Sequence, residues 1–342
     1  MQNNINFGFW EKLKKPIMAL APMADVTDAP FRRIIAKYGK PDVMFTEFVS
    51  ADGLMLANER GKARLKKDLI FIKEERPIVA QFFSSKPDMI EGAARLARKL
   101  GFDGVDINMG CPDKSVERQG AGASLMKNHK LASELIAAAK RGAGPLPVSV
   151  KTRVGYNKVE LDAWIPALLE CDLAAITIHA RTRKEMSDVP ARWEHIREAI
   201  VWRDKLGVPT LILGNGDVLD LTDANRRAKE TGADGAMLGR AIFGNPLLFS
   251  NSLLRKATAG QARELENKSD PRIKEKILRI MLEHVKLFEE LFGDTKNFSA
   301  MKKHFKAYIA GWDGAKELRI KLMETKNAED VEEIVSEFLS GL

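Results

Sequence analysis

Residues able to do chemistry gather in one stretch, Asp103 to Leu125. Val105 to Met109 alternate apolar side chains with Asp106 and Asn108, which is the pattern of a short buried strand. Gly110 and Pro112 then stop the strand and force a turn. Cys111 therefore stands at the carboxyl end of a strand, where a thiol can meet a ligand and give or take a proton. The Arg118–Ser124 segment that follows is too rich in glycine for an ordinary helix and reads as a loop. A lone strand-end cysteine is also compatible with a small buried hydrophobe, so the remaining strand ends have to decide.

Those ends come from an alternation of elements. Strands are predicted at residues 17–21, 43–48, 78–83, 105–109, 148–153, 174–180, 210–213 and 236–238. Helical spacing follows the first, with Phe31, Ile34, Ile35 and Tyr38 on one face. Further helices are predicted from Ser85-Lys-Pro-Asp88, which resembles a capping box, to Leu100, and over 131–140, 160–170 and 221–230. Eight strands alternating with helices predict an α/β chain closed as a (β/α)8 TIM barrel. A doubly wound open sheet is the alternative, but no G-x-G-x-x-G follows the first strand. Beyond Leu253 the strand signal vanishes. Residues 273–292, 301–310 and 328–339 have helical spacing after a polar stretch over 259–271. The expected organisation is a barrel over 1–250 and a small C-terminal all-helical domain over 251–342.

In such a barrel the carboxyl ends of the strands form the active site. Read in order they deliver Pro22-Met23, Glu47, Gln81, Asn108 with Cys111, Lys151 with Arg153, His179 with Arg181, Asn215-Gly-Asp217, and Gly239-Arg240. A closed core layer would not tolerate so many polar groups, because burying an unpaired charge costs several kcal/mol. The glycines at 214–217 and 239 suit a phosphate, since backbone N–H groups can approach it and Arg240 can add a charge-assisted pair. Lys151 can place a cation beneath an electron-rich ring, and Gln81 both donates and accepts, as an amide-containing heterocycle requires. Phosphate at one end and a polar heterocycle at the centre point to flavin mononucleotide.

Composition bounds the partners. The chain has 342 residues, 45% of them apolar, and a formal charge of +8. Its apolar runs are all shorter than the ~18 residues of a membrane helix, and no signal-peptide pattern opens it, so the expected setting is the cytoplasm, with no membrane partner. Two cysteines, Cys111 and Cys171, make neither a disulfide framework nor a metal cluster, and Cys171 reads as core. Residues 296–321 carry seven basic side chains against Asp313 and Glu317, and 322–342 six acidic ones against Lys326. A second basic run covers Arg60 to Lys67.

Taken together, several motifs resemble the tRNA-dihydrouridine synthase family. They are Ala21-Pro-Met-Ala24, Gln81, Asp106-Ile-Asn-Met-Gly-Cys-Pro112, Gly120-Ala-Gly122, Val150-Lys-Thr-Arg153, Ile178-His-Ala-Arg181, Gly214-Asn-Gly-Asp217 and Gly239-Arg240. The stretch from Lys303 to Arg319 resembles that family's helical tRNA-binding domain. The resemblance implies reduction of the C5–C6 bond of particular uridines in tRNA, with FMN reduced by NADPH and Cys111 protonating C5. It further implies that Pro22, Met23 and Ala24 line the flavin ring while Gln81 and Lys151 meet its polar edge. His179 would approach the ring or the phosphate, and Asn215, Gly216, Asp217, Gly239 and Arg240 would hold the phosphate. Asn108 would face the uracil amide, a turn cap being its other possible role. Arg153, Arg181 and Arg183 are candidates for the tRNA. Asp113-Lys-Ser115 and Glu117 depart from the more basic loop that the resemblance leads one to expect. A metal-free monomer acting on tRNA is the expectation. The competing one is an FMN barrel acting on a free pyrimidine, as dihydroorotate dehydrogenases do, which would not need the basic helical domain.

Overall fold

The computed structural model describes residues 5–250 and 271–340. Among the described residues there are eight strands: β1 (Ile17–Leu20), β2 (Met44–Ser50), β3 (Ile78–Phe83), β4 (Gly104–Met109), β5 (Val148–Arg153), β6 (Ala175–His179), β7 (Leu211–Asn215) and β8 (Gly235–Leu238). The helices are α1 (Ala29–Tyr38), α2 (Ala51–Leu56), α3 (Glu59–Lys67), α4 (Pro87–Leu100), α5 (Lys114–Glu117), α6 (His129–Ala143), α7 (Leu161–Leu169), α8 (Glu194–Leu206) and α9 (Leu221–Thr231). After the undescribed stretch come α10 (Pro271–Phe292), α11 (Lys302–Tyr308), α12 (Ala315–Met323) and α13 (Ala328–Ser340).

The strands are all parallel, in the order β1-β8-β7-β6-β5-β4-β3-β2. A bridge between Ala19 and Val43, with the Leu20 N–H donating to the Val43 carbonyl at 3.0 Å, joins β1 to β2 and closes the ring. The (β/α)8 barrel predicted from the strand spacing is thus formed. Its inward side chains toward the amino ends are apolar: Ile17, Ala19, Phe45, Val79, Leu211 and Leu213 cluster with Trp10 from an N-terminal 3-10 turn. Close strand approach requires a missing side chain at Gly235, where a Cβ would lie 2.1 Å from the Ile17 carbonyl oxygen. Asn108, Lys151, Arg153, His179 and Asn215 all come from the carboxyl-terminal halves of their strands, the end at which such a barrel carries its chemistry.

Two compact units divide the chain: residues 1–27 with 42–239, and residues 28–41 with 240–342. The first unit is the barrel. In the second, α1 belongs with the C-terminal helices. Its Phe31 ring packs against His284 and His304, and Lys37 and Tyr38 both meet Glu283. α10 buries Ile277, Met281, Val285, Phe288 and Phe292, the i, i+4, i+8 stripe of a core helix. The 250/251 boundary and the polar stretch 259–270 border or lie in residues outside those described.

Local predictions held unevenly. The Ser85–Asp88 capping box does not form: Lys86 is the N-cap without a side-chain cap, and the Ser85 hydroxyl donates instead to the Gln119 carbonyl. Ser84 Oγ accepts from the Lys86 N–H at 2.9 Å. The glycine-rich loop after Cys111 contains one ordered piece, a 3-10 turn over Gly122–Lys127.

Candidate active site

Cys111 sits on the turn that leaves β4. Its carbonyl accepts from the Ala123 N–H at 2.9 Å, so the loop folds back over the cysteine. Only glycine serves at position 122, where φ is +61° and a Cβ would lie 2.8 Å from the Cys111 carbonyl oxygen. The half-buried Cys111 packs beside Phe83, Val116 and Ala121. Burial pushes its thiol pKa up. The Asp113 N–H and the cations Lys151 and Arg153 offset this only in part, and the Asp113 carboxylate adds to it. The group is therefore a thiol near neutral pH, a store for one proton.

Below the turn lie two polar layers of the barrel interior. Gln81, Asp106 and Ser149 share register across β3, β4 and β5, so they point the same way. Gln81 Nε2 donates to Asp106 Oδ2 at 2.7 Å, and Ser149 Oγ to Asp106 Oδ1 at 2.6 Å. One layer higher, Asn108 is in register with Lys151. Asn108 Nδ2 donates to Gln81 Oε1 at 3.3 Å, while its Oδ1 accepts from the N–H groups of Gly110 and Cys111 at 3.1 and 2.8 Å. Asn108 thus caps the cysteine turn. Lys151 Nζ reaches Asn215 Oδ1 at 3.2 Å, from β5 past β6 to β7, which is possible only inside the barrel. Asn215 is fixed in turn by donating to the Met237 carbonyl at 2.8 Å.

Burial dominates the charges here. It holds the Lys151 ammonium down to about 8, with Arg153 adding repulsion and Asp106 and Cys111 opposing. It raises the Asp106 carboxyl to about 6 against the hydrogen bonds from Ser149 and Gln81. A lysine poised this way binds an electron-rich partner as a cation and gains from any negative charge placed beside it.

The other predicted residues fall into two groups. His179 ends β6, half-buried, with Nε2 3.4 Å from where a Gly216 Cβ would be, so those two are neighbours. Pro22 is buried, Met23 half-buried and Ala24 exposed at the head of β1, and Met23 Sδ lies 3.5 Å from the ideal Cβ position of Gly239. Asp217 has φ 51° and a carboxylate that accepts from the Ala191 N–H at 2.8 Å and from Arg181. Arg240 is exposed and is the first residue of the second unit's C-terminal segment.

The arginines are occupied with loop architecture. Arg153 Nε donates to the Gly110 carbonyl at 2.8 Å and Nη1 to Thr182 at 3.1 Å, tying the cysteine turn to the loop after β6. Arg181 is 3% exposed and bonds the Val189 carbonyl as well as Asp217. Arg183 forks onto Glu117 and lies over the Tyr156 ring, so the unexpected acid in the loop has a structural partner. Cys171 is half-buried, its thiol against the Ala167 carbonyl. Sequence reading passed over Asp106 as an actor, although its alternation with Asn108 put both on the inner face. It also passed over Trp193, whose Nε1 donates to the Gly216 carbonyl at 2.8 Å and which fills the space above Gly214. Among the described residues no cluster of acids, histidines and cysteines suits a metal, and no helix is long and apolar enough to cross a membrane.

Fold and site together define a (β/α)8 barrel with a half-buried thiol and a half-buried lysine at its carboxyl mouth, in a chain that also carries a helical unit. The family model described as dihydrouridine synthase matches residues 19–340. A probable tRNA-dihydrouridine synthase 2 from Bacillus subtilis (strain 168) is 38% identical over 332 residues, covering 96% of each chain. A probable tRNA-dihydrouridine synthase from Staphylococcus aureus (strain COL) is 37% identical over 332 residues, covering 96% of this chain and 95% of that one. A morphinone reductase solved in complex with tetrahydroNAD is 14% identical, covers 70% of this chain and 87% of that one, and has a TM-score of 0.48. The chain belongs to the dihydrouridine synthase family.

Proposed function

We propose that this protein reduces the C5–C6 double bond of uridines in tRNA to 5,6-dihydrouridine. The observation that carries the reading is half-buried Cys111 on the turn that Asn108 caps, above a barrel interior in which Lys151 Nζ reaches across to Asn215. FMN suits the donor set. Lys151 offers a cation, Asn215 an amide beside it, and Gly239 a backbone with no side chain over it, where an added Cβ would come within 3.5 Å of Met23 Sδ. Pro22, Met23 and Ala24 with Gln81 and Lys151 would hold the ring. His179, Asn215, Gly216, Asp217, Gly239 and Arg240 would hold the phosphate. When bound and reduced by NADPH, FMN supplies the hydride for C6.

The chain's own residues do the rest. Hydride arrival at C6 leaves negative charge over C5 and O4 of the uracil, and Cys111 Sγ gives its proton to C5, becoming a thiolate. Lys151 and Arg153 both favour the charged form of Cys111 and would steady that thiolate, and Arg153 also bonds the Gly110 carbonyl beside it. Arg153 and Asn108 keep the turn in place by holding Gly110 and Cys111. The second unit, with the basic side chains of 296–321, supplies affinity for tRNA, and the protein works as a cytoplasmic monomer.

The test is direct. Protein incubated with unmodified tRNA, FMN and NADPH should produce dihydrouridine detectable by nucleoside mass spectrometry. Reduction of free uracil or orotate without reduction of tRNA would favour the free-pyrimidine enzyme instead.

A further inference from the structure

Cys111 is tied to the barrel interior through a line of amides that all point the same way. The N–H groups of Gly110 and Cys111 donate to Asn108 Oδ1, Asn108 Nδ2 donates to Gln81 Oε1, and Gln81 Nε2 donates to Asp106 Oδ2. Each amide could in principle be turned by 180°, since its two ends are nearly the same shape. The chemistry at both ends of the line forbids it. Two backbone donors at the top demand an oxygen from Asn108, so its nitrogen must face Gln81. A carboxylate at the bottom only accepts, so Gln81 must turn its nitrogen down and its oxygen up.

We propose that Asp106 is the positioning residue for this site: as the terminal acceptor it fixes the polarity of the Gln81–Asn108 relay, and through it both the cysteine turn and the face that Gln81 offers a ligand. Three observations bear this out. Asp106 is 1% exposed, so it touches no bulk solvent. Its second oxygen is occupied by Ser149 Oγ, which anchors the carboxylate to β5. Gln81, the next member of the line, is 0% exposed, and its side chain bonds both Asp106 and Asn108. The residue acts through others and meets no reacting atom. As far as it concerns flavin and proton donation the proposal rests on the functional reading above; as far as it concerns the turn it does not.

Reversal of polarity is the experiment. Asn108→Asp puts an accept-only group where Gln81 expects a donor, and should lower the melting temperature by about 4 °C or more. Adding Asp106→Asn should restore most of that loss. Gln81 can then turn over, donating up to the new carboxylate and accepting from the new amide, while Ser149 keeps donating to the amide oxygen. FMN affinity, measured by fluorescence quenching, should stay about tenfold weak in the double variant because Gln81 now shows the ligand its other face.

A second pair of variants addresses Asp106 alone. Asp106→Asn should stay close to the parent in Cys111 alkylation by iodoacetamide, read on the tryptic peptide of the cofactor-free protein, because the amide oxygen still accepts from Gln81 and the Ser149 hydroxyl turns to accept. Asp106→Leu, with no acceptor, should shift that rate by about fivefold. The proposal is overturned if the double variant loses the sum of the two single losses, or if Asp106→Asn and Asp106→Leu behave alike. The Asn108→Asp pair is isosteric with the parent, so it decides the matter even if Asp106→Leu does not fold. Should the parent bind no FMN, the melting and alkylation arms still judge the relay, and only the flavin reading falls.

Discussion

Substituting Gly122 by alanine should cripple turnover while leaving the protein folded. An alanine Cβ at φ +61° would lie 2.8 Å from the Cys111 carbonyl oxygen and 2.8 Å from Val116 Cγ1. Ordinary contact begins near 3.4 Å, so one side of the loop must retreat by about 0.6 Å, and the carbonyl that moves belongs to the cysteine. The left-handed backbone adds about 1–2 kcal/mol for any residue with a side chain. Displacing a reacting group by about 1 Å costs on the order of 10²-fold in rate, so a shift of this size should cost about tenfold. Gly232→Ala is the control: φ is +80°, nothing lies within 4 Å of the added Cβ, and the site is the C-cap of α9. It pays the backbone term alone. The assay is dihydrouridine formation under single-turnover conditions beside thermal unfolding of both variants. Equal turnover in the two would refute the claim that the Gly122 contact sets the position of Cys111.

Other outcomes follow from the same site. Cys111→Ala should leave NADPH oxidation nearly intact and lower tRNA reduction by ~10²–10⁴-fold, read by parallel spectrophotometric and nucleoside assays. FMN affinity should fall as pH rises through about 8, where Lys151 loses its proton, and Lys151→Met should be weaker binding but flat in a titration from pH 6.5 to 9.5. Because the folded pKa of Lys151 lies below the unfolded value near 10.4, the unfolded chain holds more protons between the two; that residue's contribution to stability should therefore grow, not shrink, over the same rise in pH. Replacing Lys302, Lys303 and Lys306 by Gln should weaken tRNA binding and reduce the slope of log affinity against log salt by up to about 3, with FMN affinity unchanged in the same preparation.

Much of the barrel was legible because its strands are short apolar runs, some alternating with polar residues, bounded by glycine and proline. Asp106 and Asn108 stand out among Val105, Ile107 and Met109, and that alternation places both inside. What stayed hidden had long-range causes. The Glu117–Arg183 pair spans 66 positions, and no local spacing announces it. Helix α8 was missed because exposed Val201 and Leu206 blur its apolar face. α2 and α3 were missed too, α3 having no buried residue at all and so no apolar stripe to find. Ser85 failed as a helix cap because a carbonyl in the cysteine loop took its hydroxyl. Arg153 and Arg181 read as candidates for the tRNA from their charge, and what the sequence does not show is that backbone carbonyls of the neighbouring loops bond them as well.

The grouping of α1 with the C-terminal helices bears on how the chain is made. A ribosome finishes α1 some two hundred residues before it begins the helices that carry His284 and His304, the ring partners of Phe31. During that interval the helix is synthesised with its apolar face uncovered by its eventual unit, a natural binding target for a chaperone. The same arrangement makes deletion a poor tool for assigning roles. A protein cut after the barrel strands keeps α1 but loses what shields it, so its failure to act would report exposed apolar surface as readily as lost affinity for RNA.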